Sequence, residues 1–123
     1  MNTVPAKPVA THPWPDIVDG FARYRPSTLW PPYHAVEQLA GTIASGPLAS
    51  RLFGLKSMHD LWVQQTDTSP LHTPYLRIAP LDTMVEFRYL DAWNSEKQWR
   101  RKVPPEAVQS RFEAFLDQLR WLG

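Results

Sequence analysis

One stretch in the second half of the chain decides its fold: Tyr75-Leu-Arg-Ile-Ala-Pro-Leu-Asp-Thr-Met-Val-Glu-Phe-Arg-Tyr-Leu-Asp91. Apolar and polar side chains alternate in it with a period of two, which is typical of β-strands that have two different faces. Pro80 interrupts the alternation, because proline lacks the N–H that a central strand position requires. The stretch therefore predicts a β-hairpin with strands at 75–80 and 83–91.

The register of this hairpin follows from its charges. A two-residue loop at 81–82 places Arg77 opposite Glu86, so that opposite charges meet across the strands. A register shifted by two residues would instead place Arg77 opposite Arg88, so we expect the first register. Leu81-Asp82 is not a dipeptide that two-residue hairpin turns favour. A longer loop is therefore an alternative.

The rest of the chain predicts an α+β domain with a small antiparallel sheet of about three strands. Its expected elements, in chain order, are helices at 33–44 and 48–53, a strand at 58–66, the hairpin strands at 75–80 and 83–91, and a helix at 105–122. Gly54 is expected to cap the second helix in a left-handed conformation. The last helix has the clearest amphipathic pattern, so we expect it to pack on the sheet.

The N-terminus is rich in proline, since seven of the 13 prolines precede Tyr33. We expect residues 1–25 to form a proline-rich tail or docking arm, extended up to about residue 15, and residues 26–123 to form a single domain. Trp14, Ile17 and Phe21 are too large and apolar to remain in water. They are expected to dock on the domain or on a second copy of the chain.

Composition excludes several classes of function. The chain has 13 basic and 12 acidic side chains and a net charge of +1, so its overall charge does not favour nucleic acid or an anionic membrane. The absence of cysteine excludes disulfides and thiolate chemistry, and it favours the cytoplasm. No apolar run approaches the ~20 residues of a membrane-spanning helix, and the N-terminal prolines interrupt any signal-peptide core.

No catalytic constellation is recognisable in the sequence. The four histidines are not spaced as metal ligands, and no Gly-rich phosphate loop or serine nucleophile motif is present. We therefore expect no enzymatic activity, no metal and no cofactor.

The candidate partner-binding residues are aromatic or cationic. Five of them follow the hairpin, and two lie on the hairpin itself. They are Trp93, Lys97, Trp99, Arg100, Arg101, Arg77 and Arg88. Tryptophan and arginine are enriched in protein–protein hot spots, whereas aromatic rings mixed with cations also bind single-stranded nucleic acids. A third interpretation makes the two tryptophans core side chains that are followed by solvated charges.

These observations favour a small non-enzymatic protein-interaction module, such as an adaptor, an immunity-type inhibitor or a subunit of an assembly. The first alternative is single-stranded nucleic-acid binding through the sheet face and the segment Trp93–Lys102. The second is a small-molecule pocket between helix and sheet, lined by tryptophans. Self-association through the sheet or the N-terminal aromatic residues is also expected.

Overall fold

The structure, a computed structural model, describes residues 11–67 and 74–122. It confirms the α+β class, with three α-helices and an antiparallel sheet of five strands rather than three. The helices are α1 (Trp14–Arg23), α2 (Pro32–Ser45) and α3 (Val108–Leu119). The strands are β1 (Phe53–Ser57), β2 (Asp60–Gln64), β3 (Tyr75–Pro80), β4 (Val85–Leu90) and β5 (Trp99–Val103). The predicted extended tail lies largely outside the described residues.

The sheet is a simple meander, in which each strand pairs with the next along the chain and the spatial order is β1-β2-β3-β4-β5. The helices cover one face of it, because their apolar side chains share a single core with that face. Core residues include Phe21, Tyr33, Val36, Leu39, Leu61, Val63, Leu76, Ile78, Val85, Phe87, Phe112 and Leu116. The opposite face carries the intervening residues of every strand.

The expected hairpin register is wrong by two residues, since Arg77 lies opposite Arg88 rather than Glu86. The loop spans four residues, 81–84, and the N–H of the first donates to the carbonyl of the last at 2.8 Å. A shift of two leaves every side chain on its expected face. The two arginines tolerate each other because Arg77 pairs with Asp60 on the neighbouring strand at 2.7 Å.

Two strands were missed by the sequence analysis. The predicted helix at 48–53 is a single 3-10 turn at Pro47–Ser50, and β1 begins where that helix was expected to end. Gly54 lies within β1 and is not a helix cap. A Cβ added to Gly54 would lie 2.6 Å from the Trp14 ring, so the glycine permits close approach of α1. The second missed strand is β5. Its three consecutive cations, Arg100, Arg101 and Lys102, leave no alternation of polar and apolar side chains that would indicate a strand.

The helix α1 is part of the core. Its Trp14, Ile17 and Phe21 are buried, and the indole N–H of Trp14 donates to the carbonyl of Leu52 at 3.0 Å. At the other end of the helix the hydroxyl of Tyr33 donates to the carbonyl of Phe21 at 2.7 Å. The aromatic residues of this segment therefore bury themselves against their own domain.

The two longer helices lie close to their predicted positions. The helix α2 matches the expected span of 33–44 to within one residue at each end. The predicted helix 105–122 starts with a 3-10 turn at Pro105–Ala107 and ends at Arg120, whose φ of 58° is left-handed. The chain end is held by Arg51, whose guanidinium donates to the carbonyl of Leu122 at 2.8 Å.

Candidate interaction surface

The sheet face opposite the helices carries most of the candidate residues, and we call it the open face. The aromatic and charged side chains that it carries on β2 to β5 are Asp60, Trp62, Tyr75, Arg77, Glu86, Arg88, Arg100 and Lys102. The face becomes more accessible from one side to the other. Leu55 and Gln64 on the β1–β2 side are buried, whereas Arg100 and Lys102 on β5 are exposed. The β4–β5 side is therefore the more accessible part of the face.

A row of cross-strand neighbours runs across this face. Trp62 on β2 lies opposite Arg77 on β3, which lies opposite Arg88 on β4, which in turn lies opposite Arg100 on β5. We call its three cations, Arg77, Arg88 and Arg100, the arginine row. Directly opposed residues on adjacent strands have Cβ atoms about 4.5–5.5 Å apart, so the three side chains leave the sheet next to one another.

Carboxylates on neighbouring positions balance the two ends of the arginine row. Arg77 binds Asp60 at 2.7 Å, and Arg100 lies 3.4 Å from Glu86. Within the described residues the central Arg88 has no ion pair. The row therefore offers one uncompensated guanidinium, flanked by two others that their carboxylate partners hold in place.

An aromatic pair lies beside the arginine row. The rings of Trp62 and Tyr75 stack with their centroids 5.1 Å apart and their planes 22° apart. The guanidinium of Arg77 lies 5.7 Å from the Trp62 ring, which is a cation–π contact. The indole N–H of Trp62 is buried and has no acceptor in the described part of the chain. These rings form a rigid, amphipathic surface of the kind found at the centre of interfaces.

The structure divides the predicted Trp93–Lys102 segment between two sides of the sheet. Arg100 and Lys102 project onto the open face, as their cross-strand partners show. Trp99 points to the helix side, where its ring lies 4.8 Å from that of Phe115. The guanidinium of Arg101 lies over the Trp99 ring at 5.4 Å. Trp99 is thus partly buried against the core at the sheet edge, and the segment is not one continuous surface.

Trp93 and Lys97 lie on the loop between β4 and β5. Trp93 is 74% exposed. Lys97 lies in a 3-10 turn at Ser95–Lys97 and is also exposed. Because this loop leads directly into β5, it places both side chains at the end of the sheet from which β5 begins.

Asp91 organises this loop. Its buried carboxylate accepts hydrogen bonds from the backbone N–H groups of Trp93 at 3.0 Å and Asn94 at 3.1 Å. The hydroxyl of Tyr89 lies 3.4 Å from the same carboxylate. Burial, and then the charge of Asp91, raise the pKa of Tyr89. The role of this buried acid is therefore structural.

Sequence reasoning missed Trp62 and Tyr75 as site residues. The alternation of Leu61 and Val63 with Trp62 already indicated that the indole lies on the face away from the core. The missing information was the register of β3 against β2, which sets Trp62 beside Arg77.

A second exposed apolar group lies away from the open face, at the α1–α2 loop and the β1–β2 turn. Tyr24, Trp30 and Met58 are 64%, 51% and 81% exposed. Lys56 links two of them, because its amine lies 5.9 Å from the Tyr24 ring and donates to the Met58 carbonyl. Burial lowers the pKa of Lys56. We call Tyr24, Trp30 and Met58 the apolar corner.

Several depressions that are open to solvent lie in the described part of the chain. One of about 800 Å³ lies along α3 and the residues after it, and one of about 450 Å³ lies beside Trp14. Another of about 500 Å³ lies between α2 and the start of α3, and one of about 200 Å³ lies beside Trp99 and Arg100. Within residues 11–67 and 74–122, no group of three or more histidine or acidic side chains could hold a metal ion. Among those residues, no helix has the length and apolar character to span a membrane.

No protein-family model, curated protein or solved structure matches this chain.

Proposed function

We propose that the protein is a non-enzymatic interaction module that binds a protein partner through the open face. The observation that carries this proposal is the row in which Trp62, Arg77, Arg88 and Arg100 meet across four strands. Tryptophan, tyrosine and arginine are the residues that most often dominate binding energy in protein interfaces. Here they stand on strands rather than on loops, so no loop has to be ordered when a partner binds.

The charges of the face favour a protein over a nucleic acid. Two of the three guanidinium groups already have carboxylate partners, so the face is mixed rather than uniformly cationic. The Trp62 ring is occupied by Tyr75 and Arg77, which leaves less of it for stacking on bases. A polyanion would gain from many unpaired cations, whereas a protein surface with its own acidic and apolar groups can match this mixture.

A capture experiment tests the proposal. The immobilised protein is exposed to native lysate, and its Arg88→Glu variant is compared with Arg111→Glu, which changes an exposed charge on α3 in the opposite layer. We expect the wild type and Arg111→Glu to retain a partner protein in stoichiometric amount. Arg88→Glu should lower the amount of captured partner by at least about tenfold. Circular dichroism checks that both variants are folded.

Nuclease and salt separate this proposal from single-stranded nucleic-acid binding, which the same aromatic–arginine arrangement would also serve. A partner that is retained after nuclease treatment supports the protein interaction. Material that disappears with nuclease and with increasing salt would contradict the proposal and favour nucleic acid. Equal capture by wild type and Arg88→Glu would exclude the open face as the binding surface.

A further inference from the structure

The two edges of the sheet are protected differently. At β1, the N–H of His12 donates to the carbonyl of Gly54 at 2.8 Å, so the N-terminal segment pairs with that edge. At β5, which ends the strand order, none of the described residues pairs with the outer side. Backbone N–H and C=O groups on the outer side of an edge strand are free to pair with another strand.

Among the described residues, a side chain of β5 itself binds one backbone acceptor of that strand. The guanidinium of Arg101 donates to the carbonyl of Arg100 at 2.9 Å, and both side chains are exposed. Such a contact is easily replaced, because an exposed side chain gives up little when it exchanges one acceptor for water or another partner. The edge is therefore accessible to an incoming strand.

The charges of β5 select which strand can pair. If two copies of β5 met antiparallel about Arg101, Arg100 of each copy would face Lys102 of the other, and Arg101 would face itself. All three central pairs would then join like charges, which destabilises a sheet. An extended segment with acidic residues at alternate positions would instead place its carboxylates opposite Arg100 and Lys102. The sequence of β5 thus disfavours a second copy and favours an acidic peptide.

A recess beside the strand adds a site for one side chain. The depression of about 200 Å³ at the start of β5 is lined by Arg88, Tyr89, Leu90, Gln98, Trp99 and Arg100. Two of its lining residues, Arg88 and Arg100, project onto the open face, so it suits an acidic or polar side chain of the added segment. Peptides that add to a sheet edge gain affinity from main-chain hydrogen bonds and specificity from such recesses.

We infer that the outer edge of β5 is a strand-addition site for an acidic, extended segment of a protein partner. This inference rests on the proposed function and names how part of the partner binds. The main chain of β5 supplies hydrogen bonds, while Arg100 and Lys102 pair with acidic side chains on the open face.

The test uses the unmodified protein and a labelled peptide of about seven residues in which glutamate and valine alternate. Fluorescence anisotropy measures its binding against a matched peptide with lysine in place of glutamate. In an antiparallel pair, alternate residues direct their N–H groups toward the neighbouring strand. N-methylation of one alternating set should therefore weaken binding by about tenfold or more, and N-methylation of the other set should change it little.

Two further measurements locate the site. Hydrogen exchange of the amides of residues 99–103 should slow when the acidic peptide is bound. The double variant Arg100→Glu/Lys102→Glu, checked for folding by circular dichroism, should lose the glutamate peptide and gain the lysine peptide.

The outcomes separate this inference from the proposed function. No binding of the acidic peptide, or equal binding by both N-methylated forms, would overturn strand addition at β5. The proposed function would fail separately, on equal lysate capture by wild type and Arg88→Glu.

Discussion

Tyr33 ties the N-terminal helix to the rest of the molecule through one hydroxyl group. It is fully buried and donates to the carbonyl of Phe21 at 2.7 Å, with a longer contact of 3.3 Å to that of Tyr24. Replacing it by phenylalanine keeps the ring but leaves a buried carbonyl without its donor. We expect Tyr33→Phe to lower the free energy of unfolding by about 1–2 kcal/mol, measured in urea. Tyr24→Phe, at an exposed ring, serves as control and should change it by less than about 0.5 kcal/mol.

The titration of Tyr33 also makes the stability of the protein depend on pH in the alkaline range. Burial, followed by the charge of Glu37, raises the pKa of Tyr33 above its ordinary value. The unfolded chain then releases this proton at a lower pH than the folded protein does. The stabilisation is therefore complete below about pH 10 and is lost as the pH rises through the folded pKa. The free energy of unfolding, measured in urea between about pH 8 and 11, should fall more steeply with pH for the wild type than for Tyr33→Phe. Parallel curves would contradict this.

At the scale of elements, the docking of α1 on β1 depends on the absence of a side chain at Gly54. A Cβ there would lie 2.6 Å from the Trp14 ring, whereas a Cβ at Gly41 in α2 would have no neighbour within 4 Å. We expect Gly54→Ala to destabilise by about 1–3 kcal/mol through overpacking. Gly41→Ala should stabilise by about 0.5–1 kcal/mol, because alanine is the better helix former. Thermal unfolding of both variants checks the contrast, and an unchanged Gly54→Ala would refute this packing.

The loop between β4 and β5 depends on Asp91 in a comparable way. Asp91→Ala removes the acceptor of the backbone N–H groups of Trp93 and Asn94. We expect this variant to lower the free energy of unfolding by about 1–3 kcal/mol and to speed hydrogen exchange of these two amides. Asp82→Ala, in the exposed β3–β4 loop, is the matched control. It should change the free energy of unfolding by less than about 0.5 kcal/mol. Unchanged exchange at both amides would show that the carboxylate does not hold the loop.

At the scale of the whole molecule, self-association stays a prediction, and the structure indicates where to test it. The aromatic residues Trp14 and Phe21 are buried in their own domain, and β5 disfavours its own copy. The apolar corner remains, with three large side chains at least half exposed. We expect micromolar dimerisation in sedimentation velocity that Trp30→Ser weakens and Arg100→Glu does not. A monomer at all micromolar concentrations would contradict this prediction.

The sequence by itself determined what depends on local spacing. Period-two alternation located β3 and β4, and period-3.6 patterns located α2 and α3, because burial of one face imposes those spacings on neighbouring residues. The same alternation placed Arg77 and Arg88 on the outer face, where the structure also has them.

Only the tertiary structure decided what depends on residues distant in the chain. The register of β3 against β4 required Asp60 on β2, whose carboxylate relieves the opposed arginines. The strand β1 required its pairing with β2, and the glycine within it required the ring of Trp14. The separation of Trp99 from Arg100 required β5 to join the sheet. In each case the energy that decides the arrangement comes from a contact between separate elements, which no local pattern in the sequence records.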